Sequence, residues 1–327
     1  MSKVRNYLSL IKFSHTIFAM PFALIGFFLG LFSPAYIVYG VEQWNLNKTI
    51  GWDKEIHPRK YLDKSSWVEF GDNGTLWKLI IIKFALVILC MIFARSAAMA
   101  FNRYLDRKFD AKNPRTAVRE IPSGIITPKN ALVFTLVSCA LFLVTCYFIN
   151  RLCFYLSPLA LAVVLGYSYT KRFTPLCHLI LGLGLSLAPI GAYLAVTGQF
   201  ALLPILFSLA VLFWVSGFDI IYALQDEQFD KENKLYSMPA WLGKTKALRI
   251  SELLHLLSAA AIIYAGWFGN FGWLYWAGSA IFIAMLVYQH SIVKPADLKR
   301  VNVAFMTANG IASVVFAIFV IADMFIN

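Results

Sequence analysis

Only 14% of the 327 residues are charged, against about 25% in soluble globular proteins. That shortage excludes an ordinary water-soluble chain. The five cysteines, Cys90, Cys139, Cys146, Cys153 and Cys177, lie in or beside apolar runs and include no C-x-x-C pair. A disulfide framework and a His/Cys metal site are therefore not expected, and the thiols read as small buried groups. No fixed-period repeat is present. Acidic residues are scarce, 17 against 29 Lys and Arg, so the places where they cluster carry information. The net charge of +12 is dispersed over short segments between apolar runs, which leaves no basic stripe for nucleic acid and matches cytoplasmic membrane loops.

Apolar residues make up 60% of the chain, with 28 Phe, 15 Tyr and 9 Trp, and the mean hydropathy is +0.68. Runs near twenty residues long recur at 11–32, 79–101, 131–149, 153–170, 176–197, 201–222, 251–267, 271–290 and 302–325. At 1.5 Å per helical residue such runs match a hydrocarbon core about 30 Å thick. The sequence predicts an all-α polytopic membrane protein, nine transmembrane helices around a central cavity, in a single domain over 1–327. The basic start MSKVRNYLSLIKF precedes a long apolar run without a small-x-small cleavage site, so the first segment reads as a retained helix. Most Lys and Arg fall on one side if the N-terminus is cytoplasmic. Residues 33–78, with balanced charge and Trp44, Trp52, Trp67 and Trp77, read as an extended outer loop.

The acids cluster where two of these segments end. Arg95, Asn102, Asp106 and Asp110 are spaced seven, four and four residues apart, and Asp219, Asp226 and Asp230 repeat the seven and four steps. On continuous helices those spacings give one face each. Both segments run in the same direction, so both acidic faces are expected at the cytoplasmic boundary. Like charges gathered there are unfavourable unless separated, protonated or bridged by a cation. Carboxylate oxygens suit Mg²⁺, which completes its shell with water and phosphate. Arg95, Arg115, Arg119, Lys171 and Arg172 are the bases available to clamp a phosphate, and an apolar tail would lie among the helices.

These residues resemble the signatures of the UbiA superfamily of intramembrane aromatic prenyltransferases. NRYLDRKFD carries N-x-x-x-D-x-x-x-D at Asn102, Asp106 and Asp110; DEQFD carries D-x-x-x-D at Asp226 and Asp230; YSYTK carries Y-x-x-x-K at Tyr167 and Lys171. The stretches NPRTAVREIPSG and DIIYALQD look most like bacterial quinone-pathway members. Arg103 stands where many members have Asp, which removes a peripheral metal contact or alters the acceptor pocket.

The resemblance implies transfer of a polyprenyl group from polyprenyl diphosphate to a ring carbon of 4-hydroxybenzoate or a dihydroxynaphthoate, at the cytoplasmic face of a bacterial inner membrane. In that reading Asn102, Asp106, Asp110, Asp226 and Asp230 hold Mg²⁺ and diphosphate. Lys171, Arg115 and Arg119 neutralise the leaving group, Tyr167 faces the allylic cation or orients the head group, and Asp219 orients the acceptor or handles its proton. His15 is a candidate acceptor contact; His178, His255 and His290 join neither acid motif by spacing. A transporter of an anionic or lipid-linked substrate is the alternative of another class, since intramembrane charge also builds polar routes.

Overall fold

The computed structural model describes residues 3–11, 18–32 and 73–327. His15 and most of the expected outer loop fall outside the described residues. Among those described, the regular elements are helices: α1 (Lys3–Leu10), α2 (Met20–Leu31), α3 (Asn73–Lys112), α4 (Pro128–Ile149), α5 (Arg151–Thr170), α6 (Cys177–Thr197) and α7 (Leu202–Ala223). A 3₁₀ turn (Leu224–Asp226) leads into α8 (Glu227–Glu232), then α9 (Met238–Phe268), α10 (Trp273–Ile292), a π turn (Val303–Ala308) and α11 (Asn309–Ile326). The all-α expectation is met. Helix α3 begins at Asn73, within the 33–78 segment expected to form the outer loop.

Seven of the described helices are long and apolar enough to cross a membrane. The other two expected spans are α2, twelve described residues long, and α10, whose twenty residues include Trp273, Tyr275, Trp276, Tyr288, Gln289 and His290. Interfacial aromatics and polar groups lower its apolarity without shortening it. Large apolar side chains on α3, α4 and α5 face outward, with Ile81, Phe148 and Leu159 each more than 60% exposed. Such a surface suits hydrocarbon and not water.

In lipid the helices gain little from hiding apolar surface, so close packing and buried hydrogen bonds hold the bundle. Helix α7 is its axis, packed along α6 and α9, while α2 lies on α6 and α10 on α11. Fully buried Trp214 stands 5.3 Å from Phe22 and 5.6 Å from Phe282 between ring centroids. Glycine permits the closest backbone approaches. A Cβ at Gly26 of α2 would lie 2.0 Å from the Pro189 carbonyl oxygen of α6, and one at Gly182 of α6 would lie 2.4 Å from the Leu212 carbonyl oxygen of α7.

A buried polar node supports the π turn. Trp214 Nε1 and Gln289 Nε2 each donate to Asn309 Oδ1 at 2.8 Å. Asn309 Nδ2 in turn donates to the Ala304 and Phe305 carbonyls at 3.1 and 3.0 Å, satisfying acceptors that the widened turn frees. The turn presents Phe305 against Tyr222, with centroids 4.2 Å apart.

Gly26→Val should lower the detergent melting temperature, because the new side chain meets backbone; overpacking of this kind costs about 1–3 kcal/mol. Gly166→Ala is the control, since its Cβ meets nothing within 4 Å, and thermal unfolding of both variants should separate them with opposite signs.

Candidate active site

Helix α3 has 40 residues and would extend about 60 Å at 1.5 Å per residue. Its last turns therefore project beyond a hydrocarbon core of about 30 Å, and they carry the first acid motif. The second motif departs from the expected single helical face: α7 stops at Ala223 and Asp226 belongs to a 3₁₀ turn, so Asp219, Asp226 and Asp230 lie on three successive elements. A 3₁₀ turn has 3.0 residues per turn in place of 3.6 and shifts the helical phase. The three carboxylates consequently meet different partners.

The loop after α3 reaches back to both motifs. Asn113 Oδ1 accepts from the Arg115 backbone N–H at 3.0 Å, an Asx turn that reverses the chain, and Thr116 Oγ1 donates to the Asp110 carbonyl at 3.1 Å. Arg115 then grips Asp226 with a two-pronged fork, Nε to Oδ1 at 3.1 Å and a second guanidinium nitrogen to Oδ2. Asn113 Nδ2 adds a bond to the same carboxylate at 3.2 Å, and Arg115 also donates to the Tyr222 hydroxyl at 2.9 Å. Arg119 pairs with Asp110 at 2.7 Å.

The turn after α5 forms the second link. Arg172 donates to the Leu105 carbonyl at 3.0 Å and to Asp106 Oδ1 at 3.3 Å, and Asn102 Nδ2 donates to Asp106 Oδ2 at 3.1 Å. Its neighbour Lys171 faces the other motif, with Nζ 3.9 Å from Asp230 Oδ1, an ion pair longer than a hydrogen bond. Ser237, the N-cap of α9, donates to Asp230 Oδ2 at 2.8 Å. Two consecutive residues thus bridge the two acid motifs. Burial opposes the charge on Lys171, but Asp230, Asp106 and Asp226 outweigh it and raise its pKa above the ordinary 10.5.

Above this ionic floor lies a cavity of about 1030 Å³ walled chiefly by α3, α5 and α6. Its apolar wall includes Val87, Met91, Leu156 and Val163; Asn102, Tyr167, Asp219 and Tyr222 supply polar groups, and Arg95, Arg103, Arg115 and Arg119 line it as well. The four motif aspartates do not line it, and three of them reach it through lining partners: Asn102 for Asp106, Arg119 for Asp110 and Arg115 for Asp226. Asp219 sits in the wall itself and accepts a 2.7 Å bond from His178 Nδ1. Spacing had separated His178 from the acids, but the start of α6 folds it against α7. His178 Nε2 accepts from the Met238 backbone N–H at 3.2 Å, while His255 and His290 bond to each other at 2.9 Å.

Among the described residues, no three His, Cys, Asp or Glu side chains converge closely enough to hold a metal ion by themselves. Asp110 Oδ2 and Asp230 Oδ1 are nevertheless buried with no hydrogen-bond partner. Hard carboxylate oxygens left open beneath a cavity fit a divalent cation that draws its other ligands from phosphate and water.

A profile of the UbiA prenyltransferase family matches residues 72–311. The chain belongs to the UbiA prenyltransferase family. A 4-hydroxybenzoate octaprenyltransferase of Tolumonas auensis is 31% identical over 223 residues, 68% of this chain and 78% of that protein. The solved UbiA homolog from Aeropyrum pernix K1 superposes with a TM-score of 0.73 at 27% identity, covering 95% of this chain and 98% of that one. A UbiA homolog from Archaeoglobus fulgidus bound to GPP and Mg²⁺ has a TM-score of 0.63 at 19% identity, covering 98% of this chain and 99% of that one, a likeness of fold. The expected UbiA membership and helical fold are therefore correct, and the protein is an integral membrane prenyltransferase. Asn113, His178, Tyr222 and Ser237 contact these acids or their partners without having been singled out by motif spacing, whereas Arg103 stands out in the sequence as the departure from the motif. The Asn-Pro-Arg run after α3 was a signal for Asn113, because Asn before Pro favours a turn.

The raised Lys171 pKa favours the charged form in the folded protein. Its stabilisation should be fully present below the unfolded value of 10.5 and fade only as pH rises through the higher folded value. The melting-temperature loss caused by Lys171→Met should therefore be equal at pH 7 and pH 9; a loss that shrinks between those points would contradict the ion pairing.

Proposed function

We propose that this UbiA-family protein transfers a polyprenyl group from polyprenyl diphosphate to a ring carbon of a hydroxylated aromatic acid, 4-hydroxybenzoate or a dihydroxynaphthoate, in quinone biosynthesis. One observation carries the reading: two aspartate motifs from separate helices are tied together by Lys171 and Arg172 beneath an apolar cavity of about 1030 Å³. A transporter would need a through route, whereas this cavity has an acid-and-base floor suited to a diphosphate head.

In the proposed reaction the allylic C–O bond breaks with its electron pair leaving on diphosphate. Asn102, Asp106, Asp110, Asp226 and Asp230 would hold Mg²⁺, in keeping with the GPP and Mg²⁺ of the Archaeoglobus fulgidus homolog. When bound, the ion supplies positive charge against the departing phosphate oxygens. Arg115, Arg119, Lys171 and Arg172 add charged hydrogen bonds to the same group. Tyr167, in the cavity wall, offers its ring or hydroxyl to the cationic carbon, and the apolar wall keeps water from capturing it. The electron-rich ring forms the new C–C bond, and its proton passes toward Asp219. The prenyl tail lies along α3, α5 and α6 in contact with membrane lipid.

The domain is read as one unit over 1–327, with the N-terminus and the ionic floor on the cytoplasmic side of a bacterial inner membrane, as the Lys and Arg distribution supports. No nucleic-acid partner is proposed.

Purified protein in lipid should join a polyprenyl diphosphate to 4-hydroxybenzoate or a dihydroxynaphthoate only with Mg²⁺, and mass spectrometry would detect the ring-prenylated acid. Folded protein that turns over neither acceptor with any of several donor lengths would defeat the reading. Asp106→Asn and Asp226→Asn should each reduce turnover by roughly 10²-fold or more and weaken Mg²⁺-dependent diphosphate binding while circular dichroism stays unchanged. For topology, Lys112→Cys in a cysteine-free background should react with an impermeant maleimide in inverted vesicles, and Gln199→Cys in right-side-out ones. The reverse pattern would refute the orientation.

A further inference from the structure

Arg103 follows Asn102 on α3 and stands about 100° further round the helix, at the Asp110 edge of the motif face. Its side chain is 4% exposed and lines the cavity. The neighbouring bases are engaged: Arg115 with Asp226, Arg119 with Asp110, Arg172 with Asp106 and Lys171 with Asp230. Asp219 is taken by His178. Among the described residues no carboxylate forms an ion pair with Arg103, and its Nε is buried without a hydrogen-bond partner. Asp110 and Glu120 act on it only at longer range, and Arg119 repels it. Glu120 is itself held by the Ser9 hydroxyl.

A buried guanidinium left without a counter-ion destabilises the protein that keeps it. We propose that Arg103 binds the carboxylate of the aromatic acceptor and is a specificity-determining residue of the cavity. The planar fork of Arg matches a carboxylate through two parallel N–H bonds. The diphosphate end already holds four bases bound to the acid motifs, whereas Arg103 pairs with no motif acid. Arg103, Tyr167 and Asp219 line the same cavity. An acceptor with a carboxylate at one end and a phenolic hydroxyl at the other can answer both.

This inference rests on the proposed prenyl transfer, and its test separates the two. Arg103→Gln and Arg103→Met are assayed with a phenolic acid and with its neutral primary amide, alongside donor saturation and calorimetric titration of the acid in the absence of donor. The KM for the acid should rise about tenfold or more, as expected on losing a hydrogen bond to a charged group. The KM for the donor and turnover of the amide should hold, so that discrimination between acid and amide collapses. Calorimetric affinity for the acid should fall in parallel. Arg103→Met, which removes the buried charge, should melt at or above the wild-type temperature.

A rise in donor KM with acceptor KM unchanged would reassign Arg103 to the diphosphate and overturn the inference. Unchanged kinetics in both variants, or loss of folding in both, would overturn it too. If the wild type prenylates neither compound, prenyl transfer to this acceptor class fails, and the calorimetric comparison still decides whether Arg103 binds the carboxylate.

Discussion

The fork between Arg115 and Asp226 connects the chain just after α3 with the chain just after α7, and the rest of the ionic floor is arranged around it. Carboxylates gathered at one end of a bundle repel one another, and burial adds a desolvation cost. Here each motif aspartate is answered by a base from a different segment: Arg172 for Asp106, Arg119 for Asp110, Arg115 for Asp226 and Lys171 for Asp230. The bases therefore draw the motifs together while keeping the acids apart. In the proposed reaction the same cations are the ones that would meet the diphosphate. Breaking one partner leaves a partly buried charge behind, which is why these pairs matter more than surface salt bridges.

Helix packing prepares the space above that floor. Gly26 and Gly182 allow α2, α6 and α7 to approach with backbone nearly in contact, so this side of the bundle is dense and carries the Trp214, Phe282 and Phe316 core. The opposite wall, between α3, α5 and α6, keeps the cavity open. The Asn309 node belongs to the same division of labour, because it satisfies the carbonyls of a π turn that carries Phe305 and Met306 to the cavity edge. An irregular backbone segment at membrane depth is tolerable only where its polar groups find such partners.

Much of this was legible in the residues. Apolar runs located the long helices because hydrocarbon thickness fixes their length, and the four-residue steps from Asn102 to Asp110 held because α3 continues unbroken to Lys112. The same argument failed for Asp219, Asp226 and Asp230, where a 3₁₀ turn interrupts the helix; a period of 3.6 cannot foresee a local change of winding. The partners of each acid were also hidden, since Arg115 reaches Asp226 across 111 positions of sequence. Arg103 read either as the loss of a peripheral metal contact or as a change in the acceptor pocket, because the motif records residue type and not burial. His178 was read as unconnected because linear spacing says nothing about which helices are neighbours.

The His178 contacts bear on proton handling at Asp219. Met238 contributes a backbone N–H, which can only donate, and a His178 carrying its proton on Nδ1, facing Asp219 at 2.7 Å, accommodates both contacts. In that tautomer the imidazole has no free nitrogen with which to receive a ring proton unless it gives up the Met238 bond, and a doubly protonated imidazolium beside Asp219 has none either. Asp219 differs, since it lines the cavity and retains acceptor capacity beyond the one bond from His178. In the proposed reaction the proton therefore goes to Asp219, and His178 acts as a positioning residue that orients that carboxylate toward the cavity. The link also joins α6, α7 and the start of α9, so the geometry of the acceptor side follows from the same helix junction that presents Ser237 to Asp230.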